Sequence, residues 1–250
     1  MTFKMMKNAV ALTAAMTALA TVPTVAMADE VTGNISVLSS YILRGNTGGP
    51  TGLPENTGAT LQGGLDYSSD TGFYAGWWTS TLGTDTYGTA NPMEHDFYAG
   101  YSGSLAEGVG FTVGTTYYYY YDVDSSDNNG FELLLGLDVA GVGITAQTLL
   151  EDTLWGNTGD TYLKASYSYA LPKDFSLDTA LGLYFYKDSG DFEAGLSTTE
   201  EFGFRHFDIG LSKAIGETGA TASMNYIVGG ENRSGQSLKN KVVFGITYGF

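Results

Sequence analysis

The chain has no cysteine and, across 250 residues, only five prolines and eleven basic side chains. Without cysteine there are no disulfides, no thiolate nucleophile, no Cys-type zinc site and no lipid attached to a thiol. Eleven Lys and Arg against 27 Asp and Glu leave a formal charge of -16. That is the opposite of what nucleic-acid phosphates recruit, so no nucleic-acid partner is expected. Beyond residue 28 no apolar run is long enough to form a membrane-crossing helix, so entry into a bilayer would have to be made by strands. What the chain has in quantity is Gly (35), Tyr (18) and Phe (13), within a 43% hydrophobic composition. So much glycine argues against helical bundles, and so much apolar content against disorder.

Residues 1–28 read as a secretory signal peptide. Lys4 and Lys7 form a basic start, an Ala-rich apolar stretch begins at Ala9, and Ala26-Met27-Ala28 gives the small-x-small cleavage pattern. The competing reading, a transmembrane helix, is weakened by Pro23 and several Thr. Cleavage would leave Asp29 first. The discarded segment holds two Lys and no acids, so the remaining 9 basic and 27 acidic residues give the mature chain, residues 29–250, a charge of -18.

From residue 31 onward, stretches of roughly ten residues alternate apolar and polar positions, separated by Gly, Asn, Asp, Ser and Pro. Twelve strands are predicted at 34–44, 59–68, 73–82, 94–104, 111–121, 131–139, 143–151, 161–171, 175–186, 204–214, 220–227 and 240–250. None contains proline, as hydrogen-bonded strands require. The connections alternate strictly: five short turns near Ser69-Asp70-Thr71, Glu107-Gly108, Gly141, Pro172-Lys173 and Gly216-Glu217, and six long loops. All long loops therefore lie at one end. The expected fold is all-β: a 12-stranded antiparallel transmembrane β-barrel with short periplasmic turns, longer extracellular loops and both termini periplasmic.

Parity within strands assigns faces. Phe131, Leu133, Leu135, Leu137 and Val139 oppose Glu132, Leu134, Gly136 and Asp138; Val242, Phe244, Ile246, Tyr248 and Phe250 oppose Lys241 and Thr247. The face carrying the charges would line a lumen, made of Arg44, Gln62, Asp66, Glu94, Asp96, Tyr98, Glu132, Asp138, Gln147, Glu151, Lys164, Asp178, His206, Asp208 and Lys241. Arg205 and Lys213 fall on the opposite, lipid face, both at strand ends where a charge costs little. A soluble sandwich or lipocalin alternates in the same way with its apolar face inward. Against it stand the strand lengths, near the nine to eleven residues of a tilted transmembrane strand, and a polar face rich in Gly, Ser, Thr and Asp. Tyr117 to Tyr121, Trp77, Trp78, Tyr184, Tyr186, Tyr248 and Phe250 would suit interfacial aromatic girdles.

Asn34-Ile35-Ser36-Val37-Leu38-Ser39-Ser40-Tyr41-Ile42-Leu43-Arg44-Gly45, Gly63-Gly64-Leu65-Asp66-Tyr67 leading to Gly72-Phe73-Tyr74-Ala75-Gly76-Trp77-Trp78, and His95-Asp96-Phe97-Tyr98-Ala99-Gly100-Tyr101 resemble the TorF family of porin-like proteins of proteobacteria. The resemblance covers the mature chain and is most specific in its first third. It implies a Gram-negative outer-membrane barrel passing small solutes. Phe244, Ile246, Tyr248 and Phe250 resemble the terminal outer-membrane targeting signature read by the barrel-assembly machinery.

Chemistry beyond transport finds little support. Twelve-stranded barrels include lipid hydrolases, which need Ser and His at the lipid edge; His95 faces outward, and His206 faces inward two residues from Asp208, with no Ser marked as nucleophile. No catalytic residue is therefore assigned. Asp122-Val123-Asp124-Ser125-Ser126-Asp127-Asn128-Asn129-Gly130 lacks the sixth-position Gly and twelfth-position Glu of a calcium loop and reads as a solvated acidic loop, with weak divalent binding as the alternative. No metal site and no cofactor are expected.

By strand direction Asp66, Asp138 and Asp178 fall toward the periplasmic mouth, while Arg44, Lys164 and Lys241 share the outer half with Glu94, Asp96, Glu132 and Glu151. An excess of acids favours cations, and opposed charges across a lumen orient dipolar solutes; the alternative is that these charges pair and plug the barrel. Twelve strands give a width between side-chain-filled eight-stranded barrels and open sixteen-stranded porins, and Tyr98, Tyr118, Tyr120, Tyr184 and Tyr186 pointing inward would narrow it. The loop 187–203, with Asp188, Asp191, Glu193, Glu200 and Glu201, would either fold in as a lid or face solvent.

The function expected is a passive, weakly cation-selective channel for small hydrophilic solutes. The alternatives are a non-conducting structural or adhesive barrel binding lipopolysaccharide, and a lipid hydrolase. Its partners would be the lipid bilayer, lipopolysaccharide and the barrel-assembly machinery. A homo-oligomer would follow porin precedent, marked only by the small outward residues Ala220 and Ala222.

Overall fold

The computed structural model describes residues 29–47, 58–82, 92–123 and 125–250. The leader and its cleavage pattern, Asp124 and parts of the first two long loops lie outside the described residues.

Twelve antiparallel strands close on themselves: β1 (Glu30–Leu38), β2 (Thr60–Ser68), β3 (Phe73–Thr81), β4 (Met93–Ala106), β5 (Val109–Tyr121), β6 (Gly130–Val139), β7 (Val142–Leu149), β8 (Thr161–Leu171), β9 (Phe175–Phe185), β10 (Phe202–Ala214), β11 (Ala220–Gly229) and β12 (Lys241–Gly249). Each pairs with its sequence neighbours, and β1 pairs with β12, so no edge is left unpaired. The closure runs to the last residue: the Phe250 amide donates to the Gly33 carbonyl at 2.9 Å and the Gly33 amide to the Phe250 carbonyl at 2.8 Å. The five short turns and six long loops alternate as expected. In the two-residue turn between β6 and β7, Ala140 and Gly141 both take positive φ, 52° and 85°, the twist that a two-residue hairpin needs.

Burial is inverted relative to a soluble protein. Among described residues, polar and charged side chains outnumber apolar ones in the interior two to one, while Val37, Phe244 and Ile246 are each 56% exposed. Exposing that apolar belt to water would cost about 25 cal/mol per Å², and a hydrocarbon surround removes the penalty. This disposes of the soluble sandwich. The inner wall is stitched by hydroxyl pairs across neighbouring strands, Ser36 with Thr247 at 2.8 Å and Ser102 with Thr112 at 3.0 Å.

Three expectations need correction. The first strand does not run to residue 44. It stops at Leu38, and residues 39–47 leave the wall and pass inward, with Ser40, Tyr41, Ile42, Arg44, Gly45 and Thr47 buried. An alternating apolar text suits a strand and also suits a segment packed against a lumen wall, which is why parity carried the strand too far. Second, Arg205 is not on the lipid face. The β9–β10 register shifts between Phe204 and His206, and this bulge turns both Arg205 and His206 inward. Lys213 does stay outside at its strand end, its ammonium 4.7 Å from the Phe175 ring centroid. Third, the proposed girdle divides: Trp77, Tyr117, Tyr119 and Tyr121 face out, whereas Trp78, Tyr118 and Tyr120 are buried inside.

Candidate functional site

The inward segment 39–47 brings one side chain to the middle of the barrel. Arg44, at φ 48°, points its guanidinium at the β6 carboxylate of Glu132. Nη1 donates to Oε1 at 2.8 Å and Nη2 to Oε2 at 2.6 Å. The remaining terminal hydrogens go to phenol oxygens, Nη1 to Tyr184 at 3.1 Å and Nη2 to Tyr118 at 3.0 Å. Tyr118 in turn donates to Glu132 at 2.7 Å. The Gln147 amide lies 3.4 Å from the same carboxylate. A planar cation meeting a carboxylate through two parallel charge-assisted bonds is the strongest form of this contact.

The guanidinium lies over the Tyr162 ring, 5.1 Å from its centroid. Tyr162 is itself fixed, its hydroxyl 2.7 Å from His206 Nε2, while His206 Nδ1 stands 2.9 Å from Asp208. Asp208 therefore orients the imidazole, the imidazole orients the phenol, and the phenol supports Arg44. The backbone is held too: Arg205 Nε donates to the Arg44 carbonyl at 3.0 Å.

Beside Arg44 the same segment presents Tyr41, which donates to Glu94 at 2.6 Å; Tyr120 also donates to Glu94, at 3.2 Å. Tyr41, Trp78, Leu82, Tyr118 and Tyr120 form a largely aromatic hydrophobic cluster between segment and wall. Asp96, opposite Trp78 and Tyr118 in the strand registers, is fully buried, and neither of its carboxylate oxygens has a hydrogen-bond partner. Glu94, Asp96, Glu132 and His206 are each at most 1% exposed, so side chains fill the barrel cross-section at this level.

Toward the short turns the lumen loosens. Asp66 accepts from Tyr98, and Asp178 accepts from Ser168 at 2.6 Å and Ser212 at 3.0 Å. Asp138 is half-buried above its turn. Toward the long loops the barrel is capped. Arg233 donates to Asp160 at 2.7 Å and Asn157 to Glu193 at 2.5 Å, tying loop 150–160 to loop 230–239 and to loop 187–201 with its single helical turn α1 (Glu193–Leu196), while Thr47 donates to the Lys239 carbonyl at 2.7 Å and ties the inward segment to loop 230–239. Asp152 accepts the amides of Thr158 and Asp191, which hold its carboxyl below the usual aspartate range.

The inner-face residues expected from sequence thus fall into groups. Arg44, Glu94, Asp96, Glu132, Gln147, Lys164, His206 and Asp208 are buried in the long-loop half; Asp66, Tyr98, Asp138 and Asp178 line the opposite half; Gln62 is buried on β2. Lys241 opens β12 and is half-buried. Glu151 does not face the lumen, because β7 ends at Leu149 and the chain turns outward, leaving it exposed. Parity misplaced Tyr41 and Arg205; Tyr162, which shares the inward parity of Lys164, was not singled out as part of the site. The Arg205-His206 pair carried the one available signal, two consecutive polar residues in an alternating strand. Phe244, Ile246, Tyr248 and Phe250 all face outward on the closing strand. His95 also faces outward, stacked between Trp77 and Tyr119. Among the described residues no group of three or more His, Asp or Glu side chains could hold a metal ion.

Residues 23–247 match the model of Gcw_chp, described as a bacterial protein of unknown function, and the chain belongs to that family. No curated protein matches. Among solved structures the chain is similar to the KdgM porin, with a TM-score of 0.53 at 9% identity over 88% of this chain and 99% of that one. It is equally similar to the KdgM porin in complex with disordered oligogalacturonate, TM-score 0.53 at 9% identity over 88% and 98%. At such identity the likeness is one of fold.

Proposed function

We propose that this protein is an outer-membrane channel of the porin type whose lumen is constricted from within by residues 39–47, and that it passes small hydrophilic solutes with weak cation preference. The observation that carries this reading is a barrel with an apolar outer face and a charged interior, crossed by a segment that leaves the wall to meet Glu132. The twelve-stranded fold shared with a porin and the resemblance of the first third to the TorF family support it. Cation preference is inferred from the short-turn half, where Asp66, Asp138 and Asp178 face the lumen. A solute as acidic as the oligogalacturonate bound by the KdgM porin would meet these carboxylates unfavourably. Assembly is assigned to the barrel-assembly machinery reading Phe244, Ile246, Tyr248 and Phe250 after removal of residues 1–28, with lipopolysaccharide as the outer lipid neighbour.

Planar-bilayer recording under a salt gradient tests it. A reversal potential of cation sign is expected; an anion-sign potential removes the selectivity, and no conductance under any condition removes the channel. The fully packed section at Arg44 favours, as the second reading, a non-conducting structural barrel. The hydrolase reading is weak because His206 is enclosed between Asp208 and Tyr162 and reaches no hydroxyl of a serine.

A further inference from the structure

We propose that Arg44 occupies, from within its own chain, a guanidinium-binding site built into the barrel wall, and that guanidinium-bearing solutes compete for this site and release the 39–47 segment. The inference rests on the channel reading for its consequence, but its binding claim stands apart from conduction.

The site is complete without the segment. Glu132 on β6 supplies the paired oxygens, Tyr118 on β5 and Tyr184 on β9 supply one acceptor each, and Tyr162 on β8 supplies the aromatic face. Every terminal guanidinium hydrogen has an acceptor, in the planar fork arrangement that a lysine or simple ammonium cannot fill. The wall residues are prepositioned: Tyr118 donates to Glu132, and Tyr162 is locked by His206 and Asp208. Asp96 is buried beside Tyr118 with both oxygens unpartnered, so unfilled hydrogen-bonding capacity remains beside the site.

The segment, by contrast, holds its place under strain. Arg44 has positive φ, uncommon for a residue with a side chain, and Gly45 follows it at φ 68°. A solute presenting the same fork needs no such backbone. Its binding would exchange one guanidinium for another, leave Glu132 paired throughout, and free residues 39–47 to withdraw toward the long loops. Arginine and short guanidinium-bearing compounds are the class recognised.

The test uses the full mature chain in detergent micelles and in bilayers, with methylguanidinium and arginine as probes and methylammonium at equal ionic strength as control. In Arg44→Ala, methylguanidinium should raise the thermal midpoint and bind at least about tenfold more tightly than methylammonium. Arg44→Ala/Glu132→Gln should lose that difference. Arg44→Lys, which keeps the charge and is the variant most apt to fold, should show the same preference in weaker form. In wild-type bilayers arginine should raise the open fraction, and Glu132→Gln should abolish the response. Equal binding of methylguanidinium and methylammonium by both Arg44→Ala and Arg44→Lys overturns the site. Wild-type conductance indifferent to arginine overturns the competition. Selective binding with no current in any variant upholds the site, overturns the release and removes the channel reading as well.

Discussion

Gly45 lies against the ring of His206 so closely that a Cβ on this glycine would stand 2.5 Å from the histidine Cβ and 2.6 Å from its ring carbons. The inward segment and the wall thus meet with no room for even a methyl group, and at φ 68° the backbone of residue 45 also disfavours any side chain. One small residue sets how deep Arg44 can reach.

Gly45→Ala should therefore loosen the segment without altering any charge. A loss of about 1–3 kcal/mol in local stability is expected from strain at such a position. The readout is hydrogen exchange, with amides of residues 39–47 becoming faster while those of β6 and β8 hold. Unchanged protection across the segment would contradict the tight seat described here.

The Arg44–Glu132 pair should behave as a buried unit. Arg44→Ala or Glu132→Gln alone should each cost about 3–5 kcal/mol, because the surviving partner stays enclosed without its counterpart. A joint Arg44→Met/Glu132→Leu change should cost less than the two single losses together. Urea titration of the folded band in detergent gels would show this non-additivity, and simple addition would mean that water reaches the pair.

The outward face should reject charge in proportion to depth. Leu135→Arg, at the middle of β6, should cost about 2–4 kcal/mol of folding into lipid vesicles, whereas Val139→Arg, at the end of the strand, should cost about 0–1 kcal/mol. Equal penalties at both positions would place the hydrocarbon elsewhere.

Acid should loosen the cap over the long-loop end. The Thr158 and Asp191 amides hold Asp152 below its ordinary value, so its folded-state carboxyl binds a proton less readily than its unfolded one. The stability it contributes is present above the unfolded value of about 3.9 and is lost as pH falls through the lower folded value. Protease cleavage in 150–160 and 187–201 should therefore stay slow at neutral pH and rise below about pH 4. In Asp152→Asn that acid-dependent rise should disappear, with cleavage already faster at neutral pH.

His206 should prove a positioning residue, not a catalytic one. His206→Ala leaves Asp208 and the Tyr162 hydroxyl without their partner, at about 1–3 kcal/mol for each group. No release of fatty acid from phospholipid or lipopolysaccharide is expected from the wild type, and a hydrolytic activity lost on His206→Ala would revive the enzyme reading.

Most of the architecture was legible in residue order. Strand spacing, turn chemistry and the alternation of loop lengths depend on local rules with a period of two, and eleven of the twelve strands fall within two residues of the expected limits at each end. Parity also separated lipid-facing from enclosed residues for β6, β9 and β12, since every pleated strand must alternate.

Local rules fail where the chain is shaped by something distant. That residues 39–47 abandon the wall follows from Glu132, Tyr118 and Tyr184, which lie 74 to 140 positions away along the chain and become neighbours only when the cylinder closes. The bulge that turns Arg205 inward likewise depends on the carbonyl of Arg44 waiting 161 positions upstream. The pattern of polar and apolar side chains determined that this protein is a barrel with its oily side out. Closure of the barrel decided what fills its middle, because only then do buried charges find the partners without which they could not stay there.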